Sequence, residues 1–177
     1  EQRIFEKGIL ESCVKIKGVN FGLPICEDIW KDTVLKKLSK SGAEIIVAIN
    51  ASPFTMSKYD ERNDIVLCRV KETKLPIVYL NRTGGQDELI FDGSSFSLNY
   101  DGKKFSSLEE FKEDISIINF KKNNGKWIGY GNVKENSSKS ERLYKALVLG
   151  LRDYVKNNKF SGVVLGLSGG VDSALVA

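Results

Sequence analysis

Three short apolar runs determine the fold class of this 177-residue chain. They span residues 19–25, 43–49 and 75–80, and each has the length of a buried strand. Helix-like segments separate the runs, and strands that alternate with helices form a largely parallel sheet layered with helices. Later hairpin strands with Asp-Gly turns at 92–93 and 101–102 predict a mixed sheet. The sequence therefore predicts an α/β fold.

The composition excludes several classes of function. No apolar run approaches the ~20 residues that span a bilayer, and a net charge of +4 with scattered basic residues argues against a nucleic-acid partner. Three cysteines without paired spacing indicate neither a disulfide framework nor a zinc site, and they favour a reducing cytoplasm. The chain has no histidine, which excludes a Ser-His-Asp triad, a Cys-His pair and any histidine base within it.

Cys26 ends the first apolar run and is followed by Glu27, Asp28 and Trp30. Asp28 is expected to cap a helix over residues 29–40, which would place Cys26 on a strand-to-helix turn. Backbone N–H groups at such a turn favour a thiolate and can hold an oxyanion. A buried structural cysteine is the alternative, but two adjacent carboxylates are costly to bury. Cys26 is therefore a candidate nucleophile whose base must be a carboxylate or an amine.

Three further segments have predicted structures. A helix over 58–74 should bury its apolar positions, which are Ile65, Val66, Cys68 and Val70, so Cys68 is expected to be a core residue. Alternation over 111–120 predicts an edge strand. Ser140 is expected to cap a helix whose apolar face consists of Leu143, Ala146, Leu147, Leu151 and Val155, with Asp153 on the opposite face.

A predicted strand at 163–167 precedes the hexapeptide Ser168–Gly169–Gly170–Val171–Asp172–Ser173, which opens a helix. We call residues 168–173 the serine loop. Its glycines let the backbone approach phosphate oxygens, and the helix N-terminus and the serine hydroxyls supply donors. It is not a Walker loop, because no Gly-Lys-Ser/Thr follows. Asp172 would repel phosphate, so we expect it to hold a metal ion or to orient the loop.

The serine loop resembles the PP-loop of ATP pyrophosphatases, and Cys26–Trp30 resembles the nucleophile motif of the nitrilase, or carbon–nitrogen hydrolase, superfamily. Glutamine-dependent NAD synthetases join the two in this order, and the resemblance extends to Asn50–Phe54, Asn81, Gly84–Leu89 and Phe91–Gly93. It implies the C-terminal part of a nitrilase-like glutaminase domain, an α-β-β-α sandwich, over 1–122. A linker is implied at 123–139, and the first β-loop-α of a Rossmann-like PP-loop NAD synthetase domain over 140–177.

In that family, glutamine is hydrolysed at the cysteine, and the ammonia converts ATP-activated deamido-NAD to NAD. The resemblance therefore implies glutamine, deamido-NAD and ATP as substrates, Mg²⁺ at Asp172, a cytoplasmic location and a homo-oligomeric parent. It makes Cys26 the nucleophile, and Ser52 and Lys58 the glutamine-binding pair. The ATP-binding residues that it implies are Gly166, Ser168, Gly169, Gly170, Val171, Asp172 and Ser173.

The nitrilase triad is Glu-Lys-Cys, and the family's Glu and Lys both lie upstream of the residues that match this chain. We do not assign Glu27 or Glu88 to replace them. The pattern is that of an internal fragment, so we expect the isolated chain to be inactive and the function to belong to the parent. Two alternatives remain open, namely a stand-alone nitrilase-type amidase, against which the serine loop weighs, and a non-catalytic remnant or scaffold.

Overall fold

The computed structural model describes residue 4 and residues 13–177. Its strands are β1 (Val14–Ile16), β2 (Val19–Gly22), β3 (Ile45–Asn50), β4 (Ile77–Asn81), β5 (Thr83–Gln86), β6 (Leu89–Asp92), β7 (Phe96–Leu98), β8 (Lys104–Ser107), β9 (Asn119–Asn123) and β10 (Lys126–Tyr130). Its helices are α1 (Asp32–Lys40), α2 (Lys58–Thr73), α3 (Lys139–Asn157) and α4 (Val171–Val176), and a short 3₁₀ helix, which we call the Cys26 turn, spans Cys26–Ile29.

The main sheet has six strands in the order β1-β2-β3-β4-β7-β8. Strands β2, β3 and β4 are parallel, whereas β1, β7 and β8 join antiparallel. The mixed α/β sheet predicted from the apolar runs is therefore confirmed. The hydrophobic core lies between this sheet and helices α1 and α2, and its fully buried members are Ile29, Leu35, Ile46, Ala48, Val66, Val70, Ile77 and Tyr79. No helix in the described part of the chain is long and apolar enough to cross a membrane.

The helix predicted over 29–40 begins three residues later, at Asp32. Asp28 lies in the Cys26 turn, where its Oδ2 accepts a hydrogen bond from the Ile25 N–H at 2.9 Å. The N-cap of α1 is Lys31, whose side chain makes no capping bond. Asp28 therefore caps a separate turn, which connects β2 to α1.

The buried face of helix α2 includes two arginines, and it does not include the cysteine that the sequence predicted there. Cys68 is exposed, so its assignment to the core was wrong. The buried residues of α2 are Tyr59, Arg62, Val66, Arg69 and Val70. These positions follow the three- and four-residue spacing of one helix face, and Cys68 lies off that face.

The edge strand predicted over 111–120 is also wrong. Ile115 and Ile117 are 94% and 82% exposed, and residues 111–118 form no strand. A strand begins only at Asn119, where β9 pairs with β10 in a hairpin. This hairpin occupies part of the stretch predicted as a linker, and Trp127 Nε1 donates to Glu44 Oε1 at 3.1 Å beside β3.

Helix α3 presents a different face to the protein than its pattern predicted. Its N-cap is Ser138, which accepts from the Glu141 N–H at 3.2 Å, and not Ser140. Its buried residues are Arg142, Ala146 and Leu149, whereas the predicted face residues Leu143, Leu147 and Leu151 are exposed. Asp153, predicted to face outward, accepts the Gly85 N–H at 2.7 Å. The β5–β6 hairpin packs on α3 beside Gly150, where the lack of a side chain permits close approach.

Residues 163–167 form no strand. A single strand leaves its backbone donors and acceptors unpaired, and the described residues include no neighbour that pairs with this one. Helix α4 nevertheless begins at Val171 with Gly170 as its N-cap, so the loop-to-helix transition lies where the sequence predicted it.

Candidate active site

The Cys26 turn lies at the carboxyl end of the parallel strands, where ligands of α/β sheets bind. Cys26 is half-buried and has φ of 49°, a left-handed conformation that is uncommon outside glycine. The Asp28 N–H donates to the Ile25 carbonyl at 3.1 Å and the Trp30 N–H donates to the Glu27 carbonyl at 3.0 Å. A strained, hydrogen-bonded turn of this kind fixes the backbone of Cys26 and with it the direction of the Cα–Cβ bond.

Ser52 follows β3 and lies beside the end of β4. Its N–H donates to Asn81 Oδ1 at 2.8 Å, and Asn81 Nδ2 donates back to the Ser52 carbonyl at 3.2 Å. Ser52 is only 6% exposed. The reciprocal bonds hold the loop after β3 against β4 with little freedom.

Tyr79 of β4 is fully buried in the hydrophobic core. Burial raises the pKa of its phenol to about 12, although the nearby Arg62 charge opposes that rise. The Tyr79 phenol therefore keeps its proton at neutral pH.

Lys58 begins α2 and reaches the residue that follows the Cys26 turn. Its Nζ lies 4.5 Å from the centroid of the Trp30 ring and 3.0 Å from Glu61 Oε2, and its side chain is 27% exposed. Hydrogen bonds from Ser57 and Lys58 lower the pKa of Glu61, so Glu61 stays ionised as the partner of Lys58. A ligand carboxylate would have to compete with Glu61 for this ammonium.

A buried ion-pair network lies beneath the site. Arg62 is fully buried, and its Nη2 and Nη1 donate to the two oxygens of Asp92 at 2.8 and 3.0 Å. Asp92 also lies 3.7 Å from Arg142 of α3, which in turn lies 2.9 Å from Glu110. Two positive and two negative side chains therefore balance each other away from water.

Sequence reasoning missed this network, although one signal was present. Arg62 and Arg69 occupy the same helical positions as Val66 and Val70, so the spacing that predicts a buried face includes both arginines. Nothing in the local sequence indicated Asp92 as the partner of Arg62 or Glu110 as the partner of Arg142, because those contacts join distant segments of the chain.

The serine loop is exposed and forms a separate site. Ser168 Oγ and Ser173 Oγ lie 3.0 Å apart, Ser173 Oγ donates to the Gly170 carbonyl at 3.0 Å, and Gly169 has φ of +83°. Gly166 and Val171 are exposed beside them. The elements that pack most closely on the Cys26 turn are α1, α2 and β3. Asp172 belongs to no cluster of metal ligands, since the described residues contain no group of three or more such side chains.

Comparisons with known proteins match both parts of the chain. The carbon–nitrogen hydrolase family matches residues 1–127, and the NAD synthase family matches residues 143–177. A glutamine-dependent NAD(+) synthetase of Rhodobacter capsulatus is 41% identical over 178 residues, which covers 100% of this chain and 32% of that protein. The corresponding protein of Aquifex aeolicus is 36% identical and is covered to 37%.

Solved structures agree with these matches. The glutamine-dependent NAD+ synthetase from Acinetobacter baumannii, in complex with adenosine diphosphate, has a TM-score of 0.86 at 38% identity, covering 99% of this chain and 33% of that one. A carbon–nitrogen hydrolase from Helicobacter pylori, with a TM-score of 0.59 at 17% identity, shares the fold. The chain spans about a third of the length of the curated relatives it matches.

These matches confirm the resemblance and the fold class expected from the cysteine motif and the serine loop. The NAD synthase match begins within α3 and includes the serine loop. The chain belongs to the carbon–nitrogen hydrolase family, and a segment that matches the NAD synthase family follows in the same chain.

Proposed function

We propose that this chain is part of a glutamine-dependent NAD(+) synthetase. Cys26 hydrolyses glutamine and supplies ammonia, and the serine loop takes part in the ATP-dependent amidation of deamido-NAD to NAD. The observation that carries the proposal is the presence, in one chain and in this order, of a strained cysteine turn in a carbon–nitrogen hydrolase fold and a phosphate-type loop in an NAD synthase segment.

At the first site, the Cys26 sulfur attacks the carboxamide carbon of glutamine. The thiol proton passes to the upstream glutamate that the resemblance implies and from there to the departing nitrogen, which leaves as ammonia. Water then cleaves the thioester, which releases glutamate and restores the thiol. Lys58 binds the α-carboxylate through a charge-assisted hydrogen bond, and Ser52 offers a fixed hydroxyl. The Lys58 ammonium lies over the ring of Trp30, the residue that follows the Cys26 turn.

At the second site, the serine loop binds the pyrophosphate portion of ATP. The N-terminal N–H groups of α4 present donors on this loop, and the hydroxyls of Ser168 and Ser173 lie beside them. Mg²⁺ in nucleotide sites takes one or two carboxylates together with substrate phosphates, and a single Asp172 fits that donor set. When bound there, the ion would neutralise phosphate charge. We further propose a cytoplasmic location and a homo-oligomeric full-length protein.

The full-length protein carrying Cys26→Ala tests the two-site assignment. We expect glutamine-dependent NAD formation to be abolished and ammonia-dependent formation to be unchanged, because Cys26 serves only the release of ammonia. Cys68→Ala is the matched control, since Cys68 is an exposed thiol on α2, and both activities should persist in it. Equal loss with both nitrogen donors in Cys26→Ala would overturn the proposal.

A further inference from the structure

Helix α2 turns two buried arginines toward the candidate active site. Arg62 is 0% exposed and Arg69 is 6% exposed, and they lie seven residues apart, two turns along one face. Burying a guanidinium is costly unless its donors find partners. Besides its carboxylate partner, each arginine donates to oxygens of one of the two segments that carry Cys26 and Ser52.

Arg62 holds the serine. Its Nε donates to Ser52 Oγ at 3.2 Å, and its Nη2 donates to the carbonyls of Ser52 and Pro53 at 3.0 and 3.1 Å. Arginine has donors and no acceptor, so the hydrogen of the Ser52 hydroxyl must point away from Arg62. Asp92 fixes the guanidinium itself through two bonds. Arg62 therefore sets both the place of Ser52 and the direction in which its hydroxyl donates.

Arg69 holds the Cys26 turn. Its Nε donates to the Ile29 carbonyl at 3.1 Å, its Nη2 reaches the Trp30 carbonyl at 3.5 Å, and its Nη1 pairs with Glu72. The carbonyls at the end of a short helix have no partner within it. Arg69 supplies that partner at the far end of a four-residue turn whose first residue, Cys26, is strained. A strained conformation persists only where its surroundings enforce it.

We propose that Arg62 and Arg69 are positioning residues for the amide-hydrolysing site, with Arg62 acting on glutamine binding through Ser52 and Arg69 acting on the chemical step through the Cys26 turn. The inference rests on the proposed function. It assigns the two arginines different kinetic effects, although they belong to the same helix face.

The test compares Arg62→Lys and Arg69→Lys in the full-length protein. Lysine keeps the positive charge but cannot reproduce the forked hydrogen bonds of arginine. Arg62→Lys should raise the KM for glutamine by about 3–10-fold with little change in kcat. Arg69→Lys should lower the glutamine-dependent kcat by about 10–100-fold with little change in KM, because small displacements of a nucleophile are costly.

Ammonia-dependent activity should stay unchanged in both variants, and the exposed Lys71→Ala on α2 is the matched control. A merely structural role would instead lower both activities together, or change KM and kcat alike in both variants. Either result would overturn the proposal.

A double-mutant cycle separates the route through Ser52 from other effects. Ser52→Ala alone should raise the KM for glutamine. The double variant Ser52→Ala/Arg62→Lys should have almost the same KM as Ser52→Ala. Additive effects would overturn the positioning role of Arg62 and leave the proposed function intact. An unchanged KM in Ser52→Ala would instead contradict the glutamine-binding role of Ser52.

A second pair of variants keeps the proposal falsifiable if Arg62→Lys does not fold. Ser52→Thr retains a hydroxyl that accepts from Arg62, whereas the sulfur of Ser52→Cys is a weak acceptor. The threonine variant should keep a KM close to that of the natural protein, and the cysteine variant should match Ser52→Ala. A natural KM in Ser52→Cys would overturn the proposal.

Discussion

The Cys26 turn and the serine loop look alike in sequence and differ in how the structure holds them. Both follow an apolar run and lead into a helix. The Cys26 turn is fixed by backbone bonds, by the Asp28 carboxylate and by Arg69 from a neighbouring helix. The serine loop is exposed, and the side-chain hydrogen bonds described for it are formed between its own residues.

The difference shows what a strand-to-helix motif needs beyond its own residues. The strand before Cys26 lies in a six-stranded sheet, in which β2 pairs with β1 and β3. Residues 163–167 have no such neighbour among the described residues, so their apolar side chains remain exposed. Local sequence therefore determines where the loop bends, but neighbouring elements determine how firmly it is held.

Hydrogen exchange should show the largest contrast between the two regions. We expect amides of the paired strands β3 and β4 to exchange only through global unfolding, and amides of residues 163–169 to exchange almost as in an unstructured peptide. For a domain of ordinary stability, the ratio of exchange rates is at least about 10³. Mass spectrometry of peptides from the 177-residue chain measures it.

The same experiment on the full-length protein sharpens the contrast. Added neighbours should slow exchange at 163–169 and leave β3 and β4 almost unchanged. Slow exchange of residues 163–169 in the 177-residue chain itself would contradict the view that these residues lack a stabilising partner.

Removing one charge of the buried network should give the next largest effect. Asp92→Asn removes the carboxylate that pairs with Arg62 and leaves Arg142 paired with Glu110. Breaking a buried pair in this way costs about 3–5 kcal/mol of unfolding free energy, which urea denaturation measures. Asp32→Asn, at an exposed pair with Lys36, is the control and should leave the midpoint nearly unchanged. Similar small shifts in both variants would show that the network adds little stability.

Sequence predicted the frame of the fold better than its contacts. The parallel strands and the helices between them were predictable, because buried strands and amphipathic helices have distinct periods. The position of Cys26 on a turn was predictable for the same reason. The partners of Arg62, Arg142 and Asp153 were not predictable, since each lies far away in the chain. The face that α3 buries was likewise determined by the β5–β6 hairpin.

Lys58→Ala should weaken glutamine use without affecting the serine loop. A bond to an α-carboxylate that stays unchanged during hydrolysis stabilises the bound substrate and the transition state equally. Its loss therefore raises KM and leaves kcat unchanged. The loss of a charge-assisted hydrogen bond, about 1.5–3 kcal/mol, corresponds to a KM about 10–150-fold higher. Steady-state kinetics of the full-length protein measure it, with Lys31→Ala as a nearby exposed control. A reduced kcat at unchanged KM would place Lys58 at the reacting carbon instead.

The smallest expected effect concerns Glu44, which ties the β9–β10 hairpin to the main sheet. Hydrogen bonds from the Lys122 ammonium, the Asn20 N–H and the Trp127 indole lower the pKa of Glu44 to about 2. Because the folded pKa lies below the model-peptide value of 4.5, this carboxylate stabilises the fold fully above about pH 4.5. That contribution is lost as the pH falls toward 2.

Glu44→Gln should therefore destabilise the chain at pH 7 by on the order of 1 kcal/mol, since the pair with Lys122 is partly exposed and screened. Urea denaturation at several pH values should show the difference between the variant and the natural chain narrowing between pH 5 and pH 2.5. A difference that stays constant over that range would mean that the hydrogen-bond geometry of Glu44, and not its charge, holds the hairpin. At each pH, the serine-loop amides of Glu44→Gln and of the natural chain should exchange hydrogen at the same rate. Glu44 and its three partners, Asn20, Lys122 and Trp127, all lie in the carbon–nitrogen hydrolase region.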